Sequence, residues 1–330
     1  MTQLILSGVN YASESFQRVM AAQFSHKLAL YNSMLIVAPD QMVPPVAGDY
    51  ASIPQWDVIS GAADKIVNGL TTTINAPTQF KHRAAWVERE KAWGADEIIM
   101  TIAGSEHDAT RAIAEMLGEY WASQIHGSAL KVVDGVFADA LATTHVLDDS
   151  GATITPEKLV QAKLKLGDNG EKLTALALHS KVYADATTSK MVTYDKAAVD
   201  AYVSGSVTRI VGMNTFVTDK LAATNGVYPS LLGMPGSIIY KTRPRAKSAL
   251  SNANIYNVGN LSIELVRDGL TNGGVDKIVS RLSYLVYIPG VQYDDTGGIN
   301  PTDTVLATST SWTKVQTDDK LIPLVMYKSQ

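Results

Sequence analysis

The sequence predicts an α+β fold in which one interwoven chain carries an N-terminal arm and a projecting β-hairpin. Three features indicate this class. A proline-rich stretch near the N-terminus interrupts helical spacing, two β-type segments flank a turn-rich loop, and one long segment after residue 106 has apolar residues at spacings of three and four. Several further β-type segments follow in the second half, and the sequence contains no internal repeat.

The N-terminal region predicts a short amphipathic helix followed by an extended connector. Apolar residues recur at helical spacing within residues 13–31, with Ser13 or Ser15 as possible N-caps. Residues 34–48 contain three prolines, which remove amide donors and fix φ. We therefore interpret residues 34–48 as an extended arm.

A long hairpin is predicted next. Residues 50–57 (YASIPQWD) and 70–75 (LTTTIN) have β-type composition, and the segment between them is rich in turn formers. Residues 80–93 (FKHRAAWVEREKAW) continue the return strand and form the most charged window of the chain.

Helices and a strand–helix unit dominate the middle of the chain. The helix that begins near Asp108 reaches at least residue 126 and is expected to continue to residue 133. Thr155 and Pro156 predict the N-cap and first residue of a second helix, which ends at a turn over residues 167–170. Residues 173–178 (LTALAL) predict a strand, followed by a helix from Ser180.

The remaining segments are predicted to be strands. Residues 209–211 and 215–219 form a strand pair, with Gly212 and Asn214 as turn residues. Residues 237–241, 261–267 and 278–288 add three more strands.

Composition and charge restrict the classes of function that the chain can have. The formal net charge is −4 and no dense basic run occurs, which argues against a dedicated nucleic-acid-binding module. Charged residues make up 18% of the chain against about 25% in typical soluble domains, so large low-charge surfaces are expected to be interfaces in an oligomer. We find no secretory signal and no segment long enough to span a membrane, so we expect a cytosolic protein of the producing cell with no membrane partner.

The sequence does not predict an enzyme, a cofactor or a metal site. It has no cysteine, and its six histidines show no His-Glu-x-x-His pattern. The glycine-rich phosphate loops and the Gly-x-Ser-x-Gly nucleophile motif are also missing, although a dispersed serine triad stays possible from sequence alone.

Four stretches, in this order, carry a family resemblance: SIPQWDVISG (52–61), the long segment from REKAWGADEIIM to GVFA (89–138), ALALHSKVYADA (175–186) and RIVGMNTFVTD (209–219). Their series resembles the major capsid proteins of tailed bacteriophages, which have the Hong Kong 97-type fold. No single stretch is diagnostic, so the specificity lies in the order.

The resemblance implies five regions. These are an N-terminal arm (1–47), an extended loop (48–90), a peripheral domain (91–149) with a spine helix at 106–133, an axial domain (150–260) and strands that return to the axial and peripheral domains (261–330). The extended loop is expected to lie over the adjacent subunit, which would cover its unpaired backbone edges.

The implied function is structural. Many copies are expected to form hexamers and pentamers and then an icosahedral shell in the virion, assembled in the bacterial cytoplasm around double-stranded DNA that is contacted without specificity. Further expected partners are a separate scaffolding protein, a portal and a decoration protein. An encapsulin-like compartment is the alternative within the same fold, and a small soluble α+β hydrolase is the alternative from another class.

Seven residues are predicted to serve assembly. Trp and Arg are enriched at interface hot spots, so we expect subunit contacts from five residues at the base of the extended loop: Trp56, Arg83, Trp86, Arg89 and Trp93. Local packing of the hairpin base is an equally open interpretation of the three tryptophans. Gly61 and Gly69 flank the loop tip and are predicted hinges between quasi-equivalent positions.

Overall fold

A computed structural model describes residues 14–27, 35–37, 49–56, 79–95, 106–193, 208–221, 223–243, 254–258, 260–268, 275–294 and 297–330. The helices are α1 (Glu14–Lys27), α2 (Glu106–Ala138), α3 (Pro156–Leu164), α4 (Ser180–Thr188) and the short α5 (Asp303–Leu306).

The strands divide into two large sheets and two pairs. The main sheet contains β1 (Ile36–Val37), β4 (Val87–Ala95), β11 (Ile238–Arg243), β12 (Asn254–Val258), β13 (Leu261–Asp268) and β14 (Val275–Tyr287). The second sheet contains β5 (Val146–Asp148), β6 (Ala175–Leu178), β7 (Val192–Thr193), β8 (Thr208–Ile210), β9 (Met213–Val217), β10 (Tyr228–Gly233) and β17 (Leu324–Ser329). The pairs are β2 (Tyr50–Trp56) with β3 (Gln79–Ala85), and β15 (Val291–Tyr293) with β16 (Trp312–Lys314).

Helix α2 is the longest element, with 33 residues, and therefore spans about 50 Å. It begins two residues before Asp108, the start that the sequence pattern indicates, and at the first residue of the expected spine helix. It ends at Ala138, five residues beyond the expected end at residue 133. Its side chains are buried over most of its length because one side faces α1 and the main sheet and another faces the C-terminal segment. The Trp121 indole on this helix donates a hydrogen bond of 3.1 Å to Ser280 Oγ of β14.

Main-sheet side chains alternate between two faces, as strand geometry requires. On β14, Leu282, Tyr284 and Val286 point into the large core against α2. Leu285 and Tyr287 point to the opposite, outer face, where they meet residues of the β2–β3 hairpin.

Helices α3 and α4 cover the second sheet, and both begin where the sequence signals predict. The Thr155 hydroxyl accepts from the Lys158 amide at 3.3 Å, with Pro156 at the first helical position. Helix α4 starts at Ser180, and its N-cap is His179, whose Nδ1 accepts from the Lys181 amide at 3.1 Å. This capping role gives a structural account of one of the six histidines.

Several predicted details are corrected. Residues 167–172 form a 3₁₀ helix rather than a plain turn, although α3 does end just before it. Asn214 is not a turn residue: it lies within β9, and the tight turn consists of Val211 and Gly212, both with positive φ. The return strand of the hairpin is not continuous, because β3 ends at Ala85 and β4 begins at Val87 in a different sheet.

Strands from distant parts of the chain share each sheet. Strands β11 and β12 belong to the main sheet together with β13 and β14, whereas the C-terminal β17 lies between β5 and β10 in the second sheet. The five region boundaries drawn from the resemblance stay predictions. The predicted strand at 70–75 lies outside the described residues.

Candidate interaction site at the base of the hairpin

The chain changes sheets at Trp86. Strands β2 and β3 pair antiparallel from Tyr50–Ala85 to Trp56–Gln79, and the Trp86 amide donates to the Asp49 carbonyl at 3.0 Å. One residue later, the chain enters β4 and pairs with β14, starting at Val87–Tyr284. A single residue, Trp86, therefore connects β3 of the hairpin to β4 of the main sheet.

An apolar cluster, the hairpin-base cluster, fixes this junction on the outer face of the main sheet. The Trp86 side chain is 2% exposed in the subunit. The Arg243 guanidinium lies over its ring, 4.4 Å from the ring centroid, in a cation–π contact. The cluster consists of Ala51, Ile53, Ala84, Trp86, Ile239, Leu285 and Tyr287.

Ion pairs continue the outer face beyond this cluster. Arg243 pairs with Glu88 at 3.1 Å. Arg281 pairs with Glu90 of β4 at 3.0 Å and with Glu264 of β13, so that charges on three adjacent strands are linked. Although burial opposes it, the two carboxylate partners raise the pKa of Arg281.

On the opposite face of β4, Arg89 binds a loop from the C-terminal part of the chain. Its guanidinium donates to Asn300 Oδ1 at 3.1 Å and to the Pro301 carbonyl at 2.6 Å, and it pairs with Asp303 Oδ1 at 3.3 Å. The Glu88 amide donates to the same Asn300 oxygen at 2.8 Å.

Asp303 extends this network to α2. Its carboxylate accepts from Ser128 Oγ at 3.1 Å, and Ser128 Oγ lies 2.8 Å from the Tyr284 hydroxyl. Ser128 and Tyr284 are each 1% exposed. Burial raises the pKa of Tyr284 to about 12, so it stays a neutral hydrogen-bonding group at physiological pH.

Aromatic contacts pack the C-terminal half of β4 against α2. The Trp93 ring meets Tyr120 edge to face at a centroid distance of 5.1 Å. Tyr120 in turn meets Trp121 in the same geometry at 5.2 Å. Each such pair adds about 0.5–1.5 kcal/mol to the stabilisation from burial.

The strands of the hairpin also carry a buried histidine. His82, 1% exposed, lies on the same face of β3 as Ala84, and its Nε2 is in contact with Gln55 Oε1 of β2. Burial lowers the pKa of His82 to about 4, so this ring is neutral at pH 7.

The predicted site residues have different positions in the structure. Trp86 lies on the outer face of the main sheet, whereas Arg89 and Trp93 lie on the opposite face, against the Asn300 segment and α2. The Arg83 guanidinium lies 5.4 Å from the Tyr50 ring centroid within the hairpin, so all four residues contact other parts of their own chain. The burial of Trp86 fits the packing interpretation, and direct subunit contacts by these residues stay a prediction. Trp56 ends β2 and pairs with Gln79, whereas Gly61 and Gly69 lie outside the described residues.

Sequence reasoning missed the partners of the charged window. Asn300, Asp303 and Arg243 are 211, 214 and 155 residues away from the β4 residues that they contact. A period-two analysis of VEREKAW would have separated Glu88 and Glu90 from Arg89 and Trp93. It would not have identified the partners.

Two further kinds of feature, a metal site and a membrane-spanning helix, are absent from the part of the chain that the structure describes. Within the described ranges, no group of three or more His, Asp or Glu side chains is placed to hold a metal ion. None of the helices in the same ranges is long and apolar enough to cross a membrane.

Comparisons with known proteins connect this architecture to one family. The profile of the family described as "Gp13-like: Major capsid protein 13-like" matches residues 46–326. The chain is 25% identical over 289 residues to the major capsid protein of Bacillus phage SPP1, covering 85% of this chain and 83% of that protein.

Solved structures resemble the fold at low sequence identity. The capsid of Ralstonia phage GP4 aligns with a TM-score of 0.53 at 8% identity, covering 99% of this chain and 93% of that one. The capsid of a native GTA particle aligns with a TM-score of 0.52 at 9% identity, covering 92% and 90%.

Proposed function

The chain belongs to the Gp13-like family of major capsid proteins, and from this premise we propose that its copies form hexamers and pentamers of an icosahedral shell enclosing double-stranded DNA. The observation that carries the proposal is the family match across residues 46–326, which includes the hairpin, α2 and most strands of both large sheets. The chain is thus a major capsid protein of the tailed-phage type, a component of the virion.

The resemblance stated from the sequence is confirmed, as are the α+β class and the Hong Kong 97-type fold. The same family match favours a virion capsid over the encapsulin-like compartment and over the soluble hydrolase. We further propose that the protein has no catalytic activity, in keeping with the structural role of its family.

The hairpin supports assembly through contacts with a neighbouring copy. In the described residues, β2 and β3 form a two-stranded sheet of their own, separate from the two large sheets. A projecting hairpin of this kind is a favourable site for contact with another chain. A contact between the hairpin of one copy and a different surface of the next is heterologous, and heterologous contacts form closed rings when the rotation between copies closes.

The other partners are proposals of the same kind. They are a separate scaffolding protein, a portal, a decoration protein and the packaged DNA, with assembly in the bacterial cytoplasm. The net charge of −4 fits a shell that contacts DNA weakly and without specificity.

Electron microscopy of the purified chain, alone and co-expressed with the neighbouring gene product, tests the proposal. Light scattering over a range of protein and salt concentrations runs in parallel. We expect rings, tubes or closed shells, with the yield of closed shells rising in the presence of a scaffold. A particle of one or two chains under every condition, including co-expression, would contradict the proposed function.

A further inference from the structure

The contacts around Asn300 join three parts of the subunit that are far apart in sequence. Its side-chain oxygen accepts from the backbone of Glu88 and from the guanidinium of Arg89, both at the start of β4. Two and three residues earlier, the chain leaves the β2–β3 hairpin. Asn300 therefore binds the main sheet at the point where the hairpin begins.

Asp303 connects the same segment of chain to α2 through a hydrogen bond. It accepts from Ser128, which lies on α2, while it pairs with Arg89 on β4. One short segment, residues 300–303, which ends at the first residue of α5, thus bridges the hairpin base and the long helix. The bridge consists of directed hydrogen bonds, which specify geometry as well as contributing energy.

The exposure of these groups indicates that orientation matters more here than stability. The side chains of Arg89 and Asp303 are 26% and 47% exposed, and ion pairs at such positions contribute little to the free energy of unfolding. However, Arg89 binds acceptors on three residues of the loop, which restricts it to one rotamer and one direction. Asn300 is itself held at φ 50°, a left-handed conformation that asparagine adopts more readily than most residues.

We propose that Asn300, Arg89 and Asp303 form a latch that holds the hairpin base in one orientation relative to α2. We propose further that this orientation is required for closed shells to form. The second statement depends on the proposed function, whereas the first concerns the isolated subunit.

Two substitutions at Asn300 distinguish the effect of losing the latch from a general loss of subunit stability. Asn300→Gly removes the acceptor and keeps the backbone conformation, because glycine adopts positive φ freely. Asn300→Asp keeps an oxygen acceptor at the same place and retains tolerance of this conformation. Asn225→Gly is the matched control, since Asn225 lies at φ 53° in an exposed turn between Thr224 and Val227.

Hydrogen exchange of the unassembled subunit tests the orientation. The Glu88 amide donates to Asn300, so its exchange reports directly on the latch. We expect exchange at Glu88 to be about tenfold faster in Asn300→Gly, with amides in the centre of β14 unchanged. Asn300→Asp and Asn225→Gly should exchange at Glu88 as the wild type does. An unchanged Glu88 rate in Asn300→Gly would overturn the latch.

Electron microscopy of the same variants, expressed with the scaffold, tests the role in assembly. We expect Asn300→Gly to lose most of its closed shells in favour of open or aberrant particles, and the other two variants to assemble normally. Faster exchange combined with normal shells would overturn the assembly role and leave the proposed function intact. Failure of the wild type to assemble would instead count against the proposed function, and the exchange rates would still decide the latch.

Discussion

Two glycines of α2 are expected to respond in opposite ways to the same substitution. A Cβ atom at Gly135 would lie 2.3 Å from the Leu306 carbonyl oxygen and 2.7 Å from Trp312 Nε1. Neither atom is free to move, because the Trp312 indole donates to that carbonyl at 2.7 Å and is almost fully buried. A Cβ atom at Gly127, about two turns earlier, would meet nothing within 4 Å.

The magnitudes follow from these distances. In a helix interior, alanine is favoured over glycine by about 1 kcal/mol, so Gly127→Ala should raise the free energy of unfolding by up to that amount. Gly135→Ala gains the same preference, but overpacking typically costs about 1–3 kcal/mol, and a clash with a backbone atom belongs at the upper end. We therefore expect Gly135→Ala to lower the free energy of unfolding by about 1–2 kcal/mol.

Urea unfolding of the unassembled subunit, followed by tryptophan fluorescence and circular dichroism, measures both changes. The midpoint should rise for Gly127→Ala and fall for Gly135→Ala, with unchanged slopes. Equal midpoints for the two variants would refute the reasoning, since they differ only in the space around the added methyl group.

Three further outcomes are expected. Trp86→Ala should lower the free energy of unfolding of the isolated subunit by about 3–5 kcal/mol, because it leaves a cavity in the centre of the hairpin-base cluster. Trp86→Phe should lower it by less. A monomer of unchanged stability that forms fewer shells would support the subunit-contact interpretation instead. Burial, assisted by the charge of Lys220, lowers the pKa of His126 to about 4 from 6.5, so unfolding takes up a proton between these values and stability falls as the pH drops through them. The difference between the urea midpoints at pH 7 and 4.5 should therefore be smaller in His126→Gln than in the wild type, while His82, whose pKa burial also lowers to about 4, keeps its own contribution; an unchanged difference would argue against this assignment. Alanine at both Gly61 and Gly69 should reduce the yield of closed shells while leaving the subunit folded, and normal assembly of this variant would count against the hinge prediction.

Local signals predicted those parts of the fold that local chemistry determines. The Thr155–Pro156 pair marks the start of α3 because a hydroxyl cap and a proline at the first position satisfy or avoid the free amides of a helix end. The apolar run before Ser180 predicts β6 because a short strand buried on both faces is continuously apolar, and the structure buries all four of its residues. Neither prediction needs a distant partner.

The candidate site depends on partners that sequence reasoning could not pair. The charged window was identified as unusual, yet which side of β4 each residue occupies is decided by β14, α2 and the loop that contains Asn300. The break at Trp86 is likewise a tertiary effect. Its neighbours Ala85 and Val87 pair with strands of different sheets, and no local residue in this segment requires the chain to change sheets.

The base of the hairpin is held from both faces of the main sheet. On the outer face, Trp86 is packed in an apolar cluster beneath Arg243, and on the inner face Arg89 is bound to the loop of Asn300 and Asp303. Adjacent residues of a strand point in opposite directions, so the contacts of Trp86 on one face and of Arg89 on the other restrict both the tilt and the twist of this segment. We therefore expect any variation in hairpin angle between neighbouring subunits to arise beyond the paired segment, past Trp56 and Gln79, where Gly61 and Gly69 are the predicted hinges. In the proposed hexamers and pentamers, such hinges would let one sequence make contacts of the same kind in both.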